Sequence, residues 1–400
     1  MSQKIAWESR LVKVLFGSLL TFFILNAWFI MDCPASDADR QAKFAGAVND
    51  ILQPLMKEHG IPGMAVAVTI DGDRLFANFG VRSKDTAEPV TETTLFEIGS
   101  VSKTFTAVLA AYAQVLGRLD LNASVSASLP ALKGSAFDRV RVIDFAVHTS
   151  GGLPLQVPAT VGNEARLLDY LTSWKPAYAA GTRRNYSNVS IGLLGRATAE
   201  SLGMEFEQAV AAHLLVPLGL TRTFYGVPEN SVKDCAQGYD ANGRPVRMRP
   251  GLLSSESYGM RSCAEDLLRW LEANMGSGVP DAQLRQAMNL ARGGYVSFGD
   301  VIQGMVWEQY RLPVTLEQLR AGNSYETLLG KARAKPHTPP LPPHDAALIN
   351  KTGSTNGFGA YILFIPSQKT GLVLLANKNY PNEARVMAAW RILAVLEELR

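Results

Sequence analysis

The sequence predicts an α/β protein: a central antiparallel sheet flanked by helices, with a mostly helical unit inserted between the two ends of the sheet. Three observations carry this. A helix-spaced segment followed by a hairpin pattern opens the chain after its first 35 residues. Three strand-like runs and a helix close it. Nearly every apolar run in between has helical spacing. At 400 residues the chain exceeds the commonest single-core size. Its 47% hydrophobic and 19% charged residues support a large core and exclude a disordered or collagen-like chain. The net charge of +3 comes from scattered Lys and Arg, so no nucleic-acid surface is indicated. An anionic small molecule is compatible with it, because a site needs only a local positive field.

Taken in order, Lys4, Arg10 and Lys13 precede an apolar run over residues 14–31. Residues 1–35 therefore read as a secretory signal peptide, with Cys33-x-Ala35 as a small-x-small cleavage site before Ser36. An uncleaved membrane anchor is the alternative, since the run is long. Phe44, Val48, Ile51, Leu52, Leu55 and Met56 place a helix over residues 40–59, with Pro54 as a kink. Residues 64–70 and 74–81 form a hairpin about Asp71-Gly72-Asp73. Helical runs follow at 142–148, 163–174, 191–201, 205–218 and 264–275. The Pro-dense stretch 334–346 reads as an extended surface segment. Strand patterns return at 348–352, 358–364 and 371–375, and a closing helix runs over 382–399. The expected organisation is an α/β domain from residues 36–115 and 295–400, a mostly helical domain from 116–294, and an active site in the cleft between them.

The chemistry centres on Ser100 and Lys103. They stand three apart at the head of an apolar, Ala-rich helical run, so they project from one face. The expected helix N-terminus adds positive potential that eases deprotonation of Lys103 and favours an anion beside Ser100. A helix cap with a solvated lysine is the bland alternative. A serine nucleophile needs a base and an oxyanion hole. Tyr186-Ser187-Asn188 supplies a phenol whose pKa falls near lysines, and an amide. Lys351-Thr352-Gly353-Ser354 supplies a second lysine on a strand and a backbone N–H at Ser354. Gln156, in a Gly- and Pro-rich loop, offers another amide. Decoys exist: Tyr380-Pro381-Asn382 repeats the tyrosine pattern, and Lys369-Thr370-Gly371 falls at a hairpin tip. Among the five histidines only His148 lies in a candidate site loop, and a Ser-His-Asp triad would need a second nucleophile with no motif around it. There is no C-x-x-C and no metal-ligand spacing, so neither metal nor cofactor is expected. With Cys33 removed, Cys235 and Cys263 either pair in an oxidising compartment or stay as small buried residues.

The order S-x-x-K, Y-x-N, K-T-G is specific, and the chain resembles the class C serine β-lactamases, the periplasmic cephalosporinases of Gram-negative bacteria. The stretches that carry the likeness run from Gly99 to Thr106, Gly151 to Pro158, Tyr186 to Asn188, Lys351 to Ser354 and Leu375 to Arg385. The resemblance implies the serine β-lactamase/penicillin-binding fold. It implies that Ser100 attacks a lactam carbonyl, that Lys103 and Tyr186 move the proton, and that the N–H groups of Ser100 and Ser354 hold the oxyanion. It further implies that Gln156 and Asn188 bond the substrate's side-chain amide. Lys351 and Thr352, with Asn382 and Arg385 nearby, would face its carboxylate, Ser354 would also bind substrate, and Tyr258 would form an aromatic wall. A periplasmic monomer that touches membrane only through its signal segment is expected, binding a small β-lactam and no nucleic acid. The competing readings are a D,D-peptidase or esterase on the same fold, and a sensor that stays acylated. His148-Thr149-Ser150 and Asn185 depart from common members.

Overall fold

The computed structural model describes residues 37–400. The expected signal segment and Cys33 lie outside them. Helix α1, Asp37–His59, passes through Pro54 and buries Phe44, Val48, Leu52 and Met56 on one side. It leads into the hairpin β1, Gly63–Ile70, and β2, Asp73–Gly80, whose register runs from Gly63 opposite Gly80 to Ile70 opposite Asp73. After a 3-10 turn at Gly99–Val101 comes α2, Ser102–Val115. The middle of the chain is mainly helical, including α3, Asn188–Leu202, α4, Ala264–Asn274, and α5, Ala282–Ala291. The chain then returns to the sheet with β3, Gly294–Phe298, β4, Val301–Gln303, β5, Glu308–Arg311, β6, Lys335–Leu341, β7, Ala347–Ser354, β8, Gly359–Ile365, and β9, Thr370–Ala376. It closes with α6, Asn382–Glu398.

Among the described residues these strands make one nine-stranded sheet in the order β6-β3-β4-β5-β7-β8-β9-β1-β2, antiparallel at each pairing. The sheet is covered on both faces, which is why its central strands read as unbroken apolar runs. Along β1, Ala65 and Ala67 join a core that includes α2, α3 and α4. Met64, Val66, Val68 and Ile70 join a second core with α1 and α6. The period-2 alternation of a strand sorts the side chains between them.

Helix α2 is enclosed on all sides. Every residue from Ser102 to Ala113 is buried, and Ala107, Ala110, Ala111 and Ala113 let neighbouring helices approach. A helix apolar around its whole circumference belongs inside a core. Phe105 stacks on Trp270 of α4 at 4.0 Å between centroids, and the Trp270 indole N–H donates to Thr104 Oγ1 at 3.0 Å.

Two differences from expectation concern the sheet. The Pro-dense segment is extended, but it pairs with β3 as an edge strand, with a register shift between Pro336 and Leu341, the place in a sheet where prolines such as Pro336, Pro339 and Pro340 are tolerated. Strands β3 to β5 have only three to five residues each, too few for alternation to register in sequence. At the opposite edge, the Gln41 side-chain amide both donates to the Phe76 carbonyl and accepts its N–H, at 2.6 and 3.1 Å. A side chain of α1 thus completes the hydrogen bonds of β2 there. Cys235 and Cys263 are free thiols; Cys263 is buried and caps α4 by accepting the Asp266 N–H.

Candidate active site

The site is built on two backbone segments in contact. Gly99 has φ +51°, and a Cβ on it would lie 2.6 Å from the nitrogen and oxygen of Ser354. A Cβ on Gly353 would lie 2.1 Å from the Ile98 carbonyl oxygen. Only glycine permits this approach. The turn that presents Ser100 is therefore packed directly on the end of β7, and the backbones of residues 100 and 354 share one small region.

Ser100 sits in the 3-10 turn rather than in the first turn of α2. It caps neither element, since neither has a side-chain cap bond. Its hydroxyl instead accepts from Lys103 Nζ at 2.9 Å. Lys103 is fully buried and also donates to the Ser257 carbonyl at 2.7 Å. Burial drives its pKa down to about 8, the Lys351 charge adds to the fall, and the phenolate form of Tyr186 opposes it. The sequence argument assigned this shift to the helix dipole; the larger physical cause is desolvation.

Tyr186 stands between the two lysines. Lys103 Nζ and Lys351 Nζ each lie 5.2 Å from its ring centroid. Burial pushes the phenol up, but the charges of Lys103 and Lys351, with the nearby Ser100 hydroxyl, outweigh burial and bring its pKa down. The residue is placed by the junction of the short strand Arg183–Asn185 with α3. Ser187 caps α3 by accepting the Ser190 N–H at 3.0 Å, and donates to the Pro154 carbonyl at 2.6 Å. Lys351 is buried on β7 and donates to the Thr352 carbonyl at 3.1 Å. The groups at 100, 103, 186 and 351 are thus brought together.

Around them, Asn188 is buried, with its N–H on the Leu155 carbonyl and its Oδ1 unpartnered among the described residues. Gln156 and Ser354 are exposed, Tyr258 is half-exposed, and Thr352 is buried. The loop bearing Tyr258 is fastened to α2 and α3: Thr106 donates to the Glu256 carbonyl, Ser257 to the Asn188 carbonyl, and the Met260 N–H to Ser102. Lys103 Nζ is 6.0 Å from the Tyr258 ring centroid.

Arg385 corrects the expectation. It is wholly buried, and its guanidinium donates to the carbonyls of Gly353, Ala360 and Tyr380 and to Asn379 Oδ1. Its two terminal nitrogens are thus bonded to the backbone around the end of β7 and to Asn379, while Nε has no partner among the described residues, so it braces the strand. Asn382 is also buried, donating to the Asn323 carbonyl at 3.4 Å. The decoys separate cleanly: Lys369 is exposed at a left-handed turn, and Tyr380 packs on Arg385.

Sequence reasoning missed a buried ion pair behind Tyr186. Arg184 and Glu308 meet at 2.8 Å with almost no exposure. Arg184 also bonds Gln303 and the carbonyls of Thr327 and Leu328. Arg184 stands beside the tyrosine motif, but nothing in the spacing pointed to Glu308. Among the described residues no group of three or more His, Cys, Asp or Glu could hold a metal. The apolar groove lined by Leu348, Ile365, Trp390 and Leu393 holds none of the candidate residues.

A partly buried serine hydroxyl on a buried amine, a phenol between two lysines and the close approach of the residue 99 and 354 backbones are the parts a serine acyl-transfer site needs. A family model described as Beta-lactamase matches residues 48–397, and the chain belongs to that family. It is 44% identical over 351 residues to a β-lactamase of Pseudomonas fluorescens, covering 88% of this chain and 98% of that one. A solved class C β-lactamase in complex with cefoxitin is 46% identical, with TM-score 0.86 over 89% of this chain and 99% of that chain. The structure of a β-lactamase/D-alanine carboxypeptidase from Pseudomonas syringae is 45% identical, also with TM-score 0.86, over 88% and 98%.

Proposed function

We propose the following division of labour in this class C serine β-lactamase. The Ser100 oxygen attacks the lactam carbonyl of a cephalosporin or penicillin. Its proton passes to Lys103 and Tyr186, acting as one coupled unit. The carbonyl oxygen becomes an oxyanion between the N–H groups of Ser100 and Ser354. The C–N bond then breaks, and the same unit returns the proton to the leaving nitrogen. Water next attacks the acyl ester, its proton taken by Tyr186; the ester C–O bond breaks, and that proton passes to the departing Ser100 oxygen, freeing the product acid. Lys351, Thr352 and Ser354 face the substrate carboxylate, with Asn382 beyond them, while Asn188 and Gln156 bond its side-chain amide and Tyr258 walls the pocket. The reading is carried by one observation: Lys103 Nζ donates to Ser100 at 2.9 Å while Tyr186 is held between Lys103 and Lys351.

The site lies between the sheet-bearing and the helical parts of the chain. We place the enzyme in the periplasm, on the strength of the charged and then apolar N-terminal pattern, and propose that it acts as a monomer. The purified mature protein is expected to turn over a chromogenic cephalosporin, with the Ser100→Ala variant inactive. A stoichiometric burst with no further turnover would point instead to a sensor. A D,D-peptidase is the second reading, favoured by the combined name of the Pseudomonas syringae relative. Release of D-alanine from an acyl-D-Ala-D-Ala peptide faster than lactam hydrolysis would establish it.

A further inference from the structure

His148 takes no part in the proton path just described, yet it touches Tyr186 in three ways. It is buried, and its φ of +59° lies in the left-handed region that side-chain-bearing residues seldom occupy. From there its carbonyl accepts the Asn185 N–H at 2.7 Å, and its ring Nδ1 accepts the Ser187 N–H at 3.3 Å. These are the two amides that flank Tyr186. The imidazole itself lies against the Tyr186 ring, 4.3 Å between centroids and tilted by 37°.

The hydrogen bond fixes the tautomer. Nδ1 accepts, so the neutral ring carries its proton on Nε2. Nε2 is buried with no partner among the described residues. The charged groups that face the ring are Arg184 from the strand before Tyr186, Lys103 from α2 and Lys351 from β7. Burial first, and then these three positive charges, hold the imidazole well below its usual pKa. A proton on this ring would sit among three cations.

We propose that His148 is the positioning residue of Tyr186: a neutral imidazole that, from a left-handed backbone, clasps the amides on both sides of the tyrosine and fixes its phenol between Lys103 and Lys351. This rests on the proton-transfer role given to Tyr186. Turnover of a chromogenic cephalosporin by a Tyr186→Phe variant, expected to be lost, tests that role separately.

Two variants divide the contacts. His148→Asn tolerates the left-handed backbone and keeps an acceptor but loses the ring. His148→Phe keeps a ring and loses the acceptor. The readouts are kcat per active site counted by burst amplitude, KM, the thermal midpoint, and the pH profile of kcat/KM. In each variant kcat per active site is expected to fall about tenfold with KM nearly unchanged, the signature of a misplaced reacting group. The limbs of the pH profile are expected to stay in place. Wild-type kcat per active site in either variant would overturn the proposal, as would disappearance of an acid limb, which would make His148 a titrating partner. Should both variants fail to fold, nitrogen NMR of the wild-type imidazole decides. A neutral ring with its proton on Nε2 down to about pH 5 supports the proposal, and a ring that titrates at the ordinary histidine value of about 6.5 overturns it.

Discussion

At the scale of single residues, the site places a lysine where water cannot reach it. The folded pKa of Lys103 is about 8, against 10.5 for the free side chain. Between those two values the unfolded chain binds more protons than the folded one, so stability rises with pH across that window. Below pH 8 the full penalty applies. Lys103→Met is therefore expected to compare more favourably with wild type at pH 7 than at pH 10, the lost bonds to Ser100 and the Ser257 carbonyl counting against it at both, while abolishing turnover. That relative advantage should vanish by about pH 10.5. Urea melts of both proteins at pH 7 and pH 10 check this; an equal difference at the two pH values would refute it. The order of the S-x-x-K, Y-x-N and K-T-G motifs foretold that Ser100, Lys103, Tyr186 and Lys351 would meet, and the structure brings the four together. Sequence misled for Arg385, because it does not show which donors the backbone has already claimed.

At the scale of elements, the contact between the Gly99–Val101 turn and β7 sets the spacing of the Ser100 and Ser354 N–H groups proposed as oxyanion donors. Gly99→Ala would force a methyl group into the Ser354 backbone on a left-handed residue. Stability is expected to drop by about 1–3 kcal/mol. Turnover should drop by about a hundredfold, as for loss of one oxyanion donor. Thermal melts and steady-state rates with a chromogenic cephalosporin read the two effects. Activity within a factor of about two of wild type would mean that the close approach does not limit the geometry. Helices α1 and α6 and the strands β1, β2, β7, β8 and β9 were legible in sequence, because long apolar or periodic runs dominate there. The start of α2 was less so: a Gly-Ser pair ahead of an apolar run does not reveal that a 3-10 turn comes first.

At the scale of the whole molecule, Arg184 and Glu308 link the tyrosine junction to β5 and to the carbonyls of residues 327 and 328. Glu308→Gln leaves a buried guanidinium without its counter-charge. A loss of about 3–5 kcal/mol is expected, seen as a lowered urea midpoint at unchanged slope. A midpoint equal to that of wild type would show that the pair is dispensable. The pairing of residues 124 apart in sequence is the kind of fact that composition and periodicity cannot carry. The overall plan was legible for a different reason: a sheet covered on both faces needs continuous apolar strands, and those cluster at the two ends of the chain. One consequence concerns the sheet's rims. An unguarded strand would offer a template for fibre growth between copies. Here one rim is rich in imino acids that cannot donate, and at the other a glutamine from the first helix occupies part of the docking ladder. Edge-to-edge growth between copies thus meets strands with fewer free backbone groups at both borders.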